Sequence, residues 1–137
     1  MQFIQSGMNM MWLALAVVSA TLLLMPMLRA RTGGPAVTTL EATRLINSRD
    51  ALVLDVRSQD EFARGHILNA RNIAASEIEA RAKDIETHKN IPVIIYDGNG
   101  RDGASAAATL RKNGFSEIYN LTGGIGAWRA ASLPVTK

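Results

Sequence analysis

From Met1 to Leu28 the chain carries no ionisable side chain. Within that stretch Met10 to Met27 reads MMWLALAVVSATLLLMPM, interrupted only by Ser19 and Thr21, both tolerable in a lipid helix. At ~1.5 Å per residue these 18 residues give roughly 27 Å, close to the hydrocarbon thickness of a bilayer. A helix apolar on every side cannot join a small soluble core, so this segment is set apart from whatever the rest of the chain folds into. The pattern predicts a transmembrane anchor over residues 8–28. A cleaved signal peptide would need a basic start and a small-x-small cleavage site, and residues 1–9 hold no Lys or Arg. Arg29 and Arg31 follow the apolar run at once. The positive-inside rule then places the N-terminus outside and the following residues in the cytoplasm, with Trp12 near the opposite interface. Pro26 reads as a helix-end feature.

Residues 29–35, ending in RTGGP, read as a juxtamembrane linker. The remaining segment, 36–137, has the length of one small domain. A sequence pI near 9.7 suggests nucleic acid until the charges are located. Two of the 15 basic residues are Arg29 and Arg31, and without them 13 basic residues face 12 acidic ones, interspersed from Arg44 onward. No basic stripe remains, so no nucleic-acid partner is expected. The chain has no cysteine, which removes disulfides, thiolate metal sites, iron–sulfur ligation and thiol nucleophiles together. Two isolated histidines, His66 and His88, make no metal site, and no cofactor is expected.

Strand and helix patterns alternate through the domain. Thr39 reads as an N-cap for a helix with Leu40, Ala42, Leu45 and Ile46 at helical spacing, followed by a buried strand from Ala51 to Val56. Ser58 or Gln59 opens a short helix through Arg64, and a small strand follows around Ala70 to Ile73. Ser76 reads as the cap of a helix reaching Ile85, in which Ile78 and Ala82 share a face. PVIIY, from Pro92 to Tyr96, is the clearest central strand. A Gly-rich turn, DGNGRDG, leads into a helix from Ala104 to Lys112, then Glu117 to Asn120 forms a strand before GGIGAW and a last short helix. Such alternation implies an α/β fold, a parallel sheet of about five strands flanked by helices.

Asp55-Val56-Arg57, then Glu61-Phe62, then Gly65-His66-Ile67, with Ala70 and Asn72-Ile73, resemble the D-x-R, E-[FY] and G-H-I pattern of the rhodanese-like domain family. Leu121, Gly123, Gly124, Ala127 and Trp128 match its late G-G-x-x-A-W motif, and Leu133-Pro134 its usual ending. The resemblance covers nearly all of 36–137 and implies a rhodanese-like fold. Together with the N-terminal span, EATRLIN, SEI, HK, PVI and DGxG are similar to the membrane-anchored, YibN-type rhodanese-like proteins of Gram-negative bacteria. That narrower likeness implies a single-pass protein of the bacterial inner membrane with its domain in the cytoplasm.

In active members a cysteine ends the strand, and the loop behind it commonly reads C-x-x-G-x-R-S. Here Asp97 stands at the cysteine position, Gly100 matches, Asp102 and Gly103 replace Arg and Ser, and Arg101 is displaced by one residue. A carboxylate cannot accept and hand on a sulfane sulfur, so the family's persulfide route is closed and no residue is assigned as catalytic. The active-site-like loop runs through Asp97, Gly98, Asn99, Gly100, Arg101, Asp102 and Gly103. Asp97 is expected to accept hydrogen bonds from the loop's own N–H groups and fill the cradle an anion would occupy. Asp55, Arg57, Glu61 and His66 are expected as supporting polar residues, with pairing that fixes the strand-to-helix connection rather than catalysis. Trp128 reads as core packing near the loop.

These features predict a catalytically inactive rhodanese-like module, facing the cytoplasm, that binds another protein at the membrane. Two alternatives stay open. One is a small-oxyanion binder or sensor using the loop from Asp97 to Gly103. The other is an enzyme with Asp97 as nucleophile, which would want a second acid and a divalent metal, whereas position 99 is Asn.

Overall fold

A computed structural model describes residues 2–33, 35–98 and 102–137, with the side chains of 2–6 and 26–33 outside the description. The chain divides into two units, Met1–Arg31 and Thr32–Lys137.

The first unit is helical. Helix α1 (Gln2–Gly33) contains a window, Gly7–Met25, of mean hydropathy 1.9 with none of its side chains buried. It is long and apolar enough to cross a membrane. Thr21 returns its hydroxyl to the Val17 carbonyl at 2.6 Å, so the polar group is satisfied within the helix. The helix does not end at Pro26, as the sequence suggests. It continues to Gly33 and takes in five residues expected as linker. A proline removes one backbone donor, and a long helix goes on beyond it where its neighbours favour helix. The side chains of Arg29 and Arg31 lie outside the described residues.

The second unit is built on a parallel sheet of five strands. Strand β1 (Ala36–Val37) leads into α2 (Thr39–Arg49), capped by Thr38 rather than Thr39, its side chain accepting the Glu41 N–H at 3.2 Å. Then follow β2 (Leu52–Asp55), α3 (Gln59–Arg64) capped by Ser58, β3 (His66–Ile67) and β4 (Arg71–Asn72). The segment expected as one helix from Ser76 is instead a 3₁₀ turn (Ala75–Glu77), a single α turn, α4 (Ile78–Arg81), and a second 3₁₀ stretch (Ala82–His88) kinked at Ile85. Ser76 caps nothing, and burial of Ile78, Ala82 and Ile85 holds the irregular run in place. Strand β5 (Val93–Tyr96), α5 (Gly103–Lys112), β6 (Ile118–Leu121), α6 (Gly124–Ala130) and β7 (Val135–Thr136) complete the unit.

The sheet order is β1-β6-β5-β2-β4, which puts PVIIY at the centre. Side-chain alternation divides the strands between two cores. Leu52, Leu54, Val93, Ile95 and Ile118 face α4, the second 3₁₀ stretch and α5 through Ile78, Ile85, Ala107 and Leu110. Val53, Ile94, Tyr96 and Leu121 face α2 and α6 through Ala42, Ile125 and Trp128. Both faces are covered, as a near-continuous apolar run such as VIIY requires. An antiparallel ribbon of β3 with β7, pairing His66 with Thr136 and Ile67 with Val135, was not anticipated. Two-residue strands carry no periodicity.

Candidate functional site

Strands β2 and β5 lie side by side with Asp55 opposite Tyr96, so both chains leave the sheet at the same end. Parallel strands feeding helices gather their loops there, where α/β proteins place their sites.

Asp97 follows β5 directly and is only 2% exposed. One carboxylate oxygen, Oδ2, accepts the N–H of Asp102 at 2.5 Å and that of Gly103 at 3.1 Å. Gly103 opens α5, so the negative charge sits at the positive end of a ten-residue helix. Charge-assisted bonds of this kind are about twice as strong as neutral ones. The Asp97 carbonyl in turn accepts the Ile125 N–H at 3.1 Å, which ties the first turn of α6 to the end of β5. That approach requires glycine at 124: φ is 58°, and a Cβ there would collide with the Asp97 carbonyl oxygen. Gly103 is constrained less, because a Cβ there would meet a side-chain atom, the Asn120 Oδ1, rather than backbone. Gly98 and Asp102 are exposed, and the Asp102 side chain makes no capping bond. Asn99, Gly100 and Arg101 lie outside the described residues.

On the neighbouring strand Asp55 is fully buried and forked by Arg57: Nη2 donates to Oδ2 at 2.7 Å and Nε lies 3.1 Å from each oxygen. The Arg57 N–H also donates to Oδ1 at 2.9 Å. Nη2 reaches on to the Gly65 carbonyl at 2.6 Å, and the guanidinium lies 5.6 Å from the Tyr96 ring centre. Tyr96 accepts the Ile67 N–H on its hydroxyl at 3.1 Å. Burial, and then Asp55 close by, push that phenol well above the usual tyrosine range, so it stays neutral. Asn72 donates to the carbonyls of Asp55 and Arg57, both at 3.0 Å. The network locks the β2–α3 connection to β3 and β4.

The four expected supporting residues therefore separate. Asp55 and Arg57 form the buried pair. Glu61 sits in the first turn of α3, where Ser58 accepts its N–H and donates to its carboxylate, both at 3.3 Å: a side-chain cap on an exposed helix start. His66 stacks on Phe62 with centroids 3.7 Å apart, its Nδ1 2.9 Å from the Phe62 carbonyl. Trp128 is buried and donates to the Pro134 carbonyl at 3.0 Å. No cluster of His, Cys, Asp and Glu fit to hold a metal is found among the described residues. Sequence reasoning missed Tyr96, Asn72 and the steric demand on Gly124; the Gly-Gly pair that opens α6 was the signal for the last.

Residues 38–131 match the family model of the rhodanese-like domain. The chain is 41% identical over 102 residues to the uncharacterized protein YibN of Escherichia coli (strain K12), covering 74% of this chain and 71% of that one. It is 35% identical over 91 residues to the thiosulfate sulfurtransferase GlpE of Coxiella burnetii (strain RSA 331 / Henzerling II), covering 66% and 83%. Among solved structures, a rhodanese-related protein from Thermoplasma volcanium superposes with a TM-score of 0.66 at 27% identity, covering 74% of this chain and 97% of that one.

Proposed function

The chain belongs to the rhodanese-like family, and from that premise we propose that it is a non-catalytic member that binds another protein at the cytoplasmic face of a bacterial inner membrane. Sulfur transfer by the family's route needs a thiolate to take up the sulfane sulfur, and this sequence has no cysteine to supply one.

The observation that carries the reading is the carboxylate of Asp97, buried and bonded to the Asp102 and Gly103 N–H groups. Those are donors a bound anion would use at the start of α5. With the Asp97 side chain as their acceptor, these two donors are satisfied without substrate, and an incoming oxyanion would have to displace a tethered carboxylate. The same geometry speaks against the oxyanion-sensor alternative. What is left is an intact scaffold whose loops and edges are free to serve recognition. The apolar Gly7–Met25 window supports the anchor, and Arg29 and Arg31 just after the apolar run support the cytoplasmic placement.

The test is a thiosulfate-to-cyanide sulfurtransferase assay on the full chain in detergent, beside an active rhodanese, paired with site-specific photocrosslinking from the domain surface in intact membranes. The expected result is no turnover above buffer and one reproducible crosslinked protein. Clear turnover would require a cysteine-independent mechanism and overturn the proposal, as would failure of every crosslinking position to give a specific product.

A further inference from the structure

The β3–β7 ribbon carries two of the three exposed large apolar side chains of residues 35–137: Leu68, just after β3, is 46% exposed and Val135 43%. Beside it lies a groove of about 200 Å³ whose walls include Ile46, Ile67, Leu68, Trp128, Leu133 and Pro134. Its lining is wholly uncharged. The volume falls below the roughly 300–1,000 Å³ of small-molecule pockets and suits a side chain or two.

Along the ribbon and α6 the charge has one sign. From Phe62 to Ser76, and again from Ile118 to Lys137, there is no Asp or Glu. Those two segments supply β3, the turn after it, α6 and β7. Arg64, Arg129 and Lys137 are exposed, and none joins an ion pair among the described residues. They gather at one place. Arg64 precedes Gly65, the Arg129 guanidinium lies where a Cβ on Gly65 would touch it, and Lys137 follows Thr136, the partner of His66 across the ribbon. Five of the domain's acids, Asp55, Glu77, Asp84, Glu86 and Glu117, are paired to cations; the acids nearest this face are Asp60 and Glu61, at the other end of α3 from Arg64, and Asp50, at the end of α2.

Resting on the binding-module reading, we propose that this face docks an extended, acidic segment of a partner protein, which inserts one aliphatic side chain between Leu68 and Trp128 and sets carboxylates against Arg64, Arg129 and Lys137. The aliphatic anchor removes Leu68 from water, and the surrounding cations steer and select for negative charge. The Trp128 N–H, held on the Pro134 carbonyl at the groove wall, reports occupancy.

The experiment uses the full chain, isotope-labelled in zwitterionic lipid nanodiscs and titrated with capped peptides. The probe is Asp-Glu-Leu-Asp-Glu; the controls are Lys-Lys-Leu-Lys-Lys and Asp-Glu-Gly-Asp-Glu. The acidic leucine peptide is expected to shift the Trp128 indole N–H and the Leu68 amide saturably at millimolar concentration or below. Each control, and the Arg129→Glu, Lys137→Glu and Leu68→Ser variants with otherwise native spectra, should bind at least about tenfold more weakly. No shift, equal response to the basic peptide, or a response only when anionic lipid replaces zwitterionic lipid would overturn the inference. A crosslinked partner captured solely through another face would sink this inference and leave the binding-module reading standing, whereas sulfurtransferase turnover would sink that reading itself.

Discussion

Asp55 and Asp97 are buried carboxylates at the ends of two adjacent parallel strands, and the chain accommodates them by different means. Asp55 is held by a side-chain cation two residues on, Arg57, in a forked pair. Asp97 is held by backbone N–H groups five and six residues on, at the start of α5. The first arrangement needs a particular side chain. The second needs a particular path of the main chain, which any acceptor of the right size can hold. A strand end can therefore keep its polar partner or lose its nucleophile without the sheet changing, because the apolar residues of the two cores set the fold and these positions only terminate it.

Arg57→Met should give the largest effect. Removing one partner leaves Asp55 buried with its charge uncompensated, a loss of about 3–5 kcal/mol in the urea unfolding free energy. A loss under about 1 kcal/mol would break the comparison, since it would mean that other donors suffice for Asp55. Gly124→Ala should follow, at about 3 kcal/mol, because it combines a left-handed backbone with a collision at the Asp97 carbonyl. Gly126→Ala, in the same helix with open space at its Cβ, is the control and should be neutral or slightly stabilising. Equal effects would show that α6 is not fixed through Asp97.

A pair of isosteric changes sharpens the contrast. Asp97→Asn keeps an oxygen acceptor for two amide donors and should cost about 1 kcal/mol, while Asp97→Ala, which leaves those donors without it, should cost about 1–3 kcal/mol. Asp55→Asn keeps the shape but removes the charge opposite Arg57, so its penalty should exceed that of Asp97→Asn. The reverse order in thermal and urea midpoints would show that the Asp97 charge, rather than its acceptor geometry, holds the loop.

How far these sites were legible in the sequence follows from the same distinction. The Asp55–Arg57 pair is local, a D-x-R triplet, and so are Ser58 as a cap and VIIY as a buried strand. The role of Asp97 was legible because a carboxylate following an apolar strand and preceding a helix has amides within reach. Glu61 was misplaced by association: it belongs to the same motif as Asp55, yet one helical turn carries it out to an exposed bond with the capping Ser58. The β3–β7 ribbon, the Ile67 bond to Tyr96 and the broken helix around Ile78 depend on residues far apart in the chain, and nothing in a two-residue strand announces its partner.

The exposed pair of Arg49 and Glu117 offers a smaller comparison. Arg49 forks Glu117 at 2.6 and 2.8 Å and, chiefly through those hydrogen bonds, holds its carboxyl below the ordinary range. A depressed folded value means that the pair's contribution is fully present above the unfolded value of roughly 4.3 and is lost as pH falls through the folded one. Glu117→Gln should therefore leave stability at neutral pH nearly unchanged and make its decline below about pH 4.3 shallower. An acid limb identical to that of the parent protein would mean that the exposed pair contributes nothing.

Asp97→Cys should change activity least of all. The position suits a thiolate, since it ends β5 at the start of α5 and a helix N-terminus lowers a thiol pKa. The surrounding loop does not follow. Asp102 and Gly103 stand where the family pattern places Arg and Ser, and the arginine falls at 101. A thiosulfate dianion approaching such a cysteine would meet the exposed Asp102 carboxylate and lack the hydroxyl and guanidinium that the pattern supplies, so capture and turnover should stay at the level of Asp97→Ala in the thiosulfate-to-cyanide assay. Robust turnover by the single variant would place the whole divergence from the sulfurtransferases at one residue. Recovery only when Asp102→Arg and Gly103→Ser are added would show that the loop, and not the missing thiol alone, separates the two kinds of strand end.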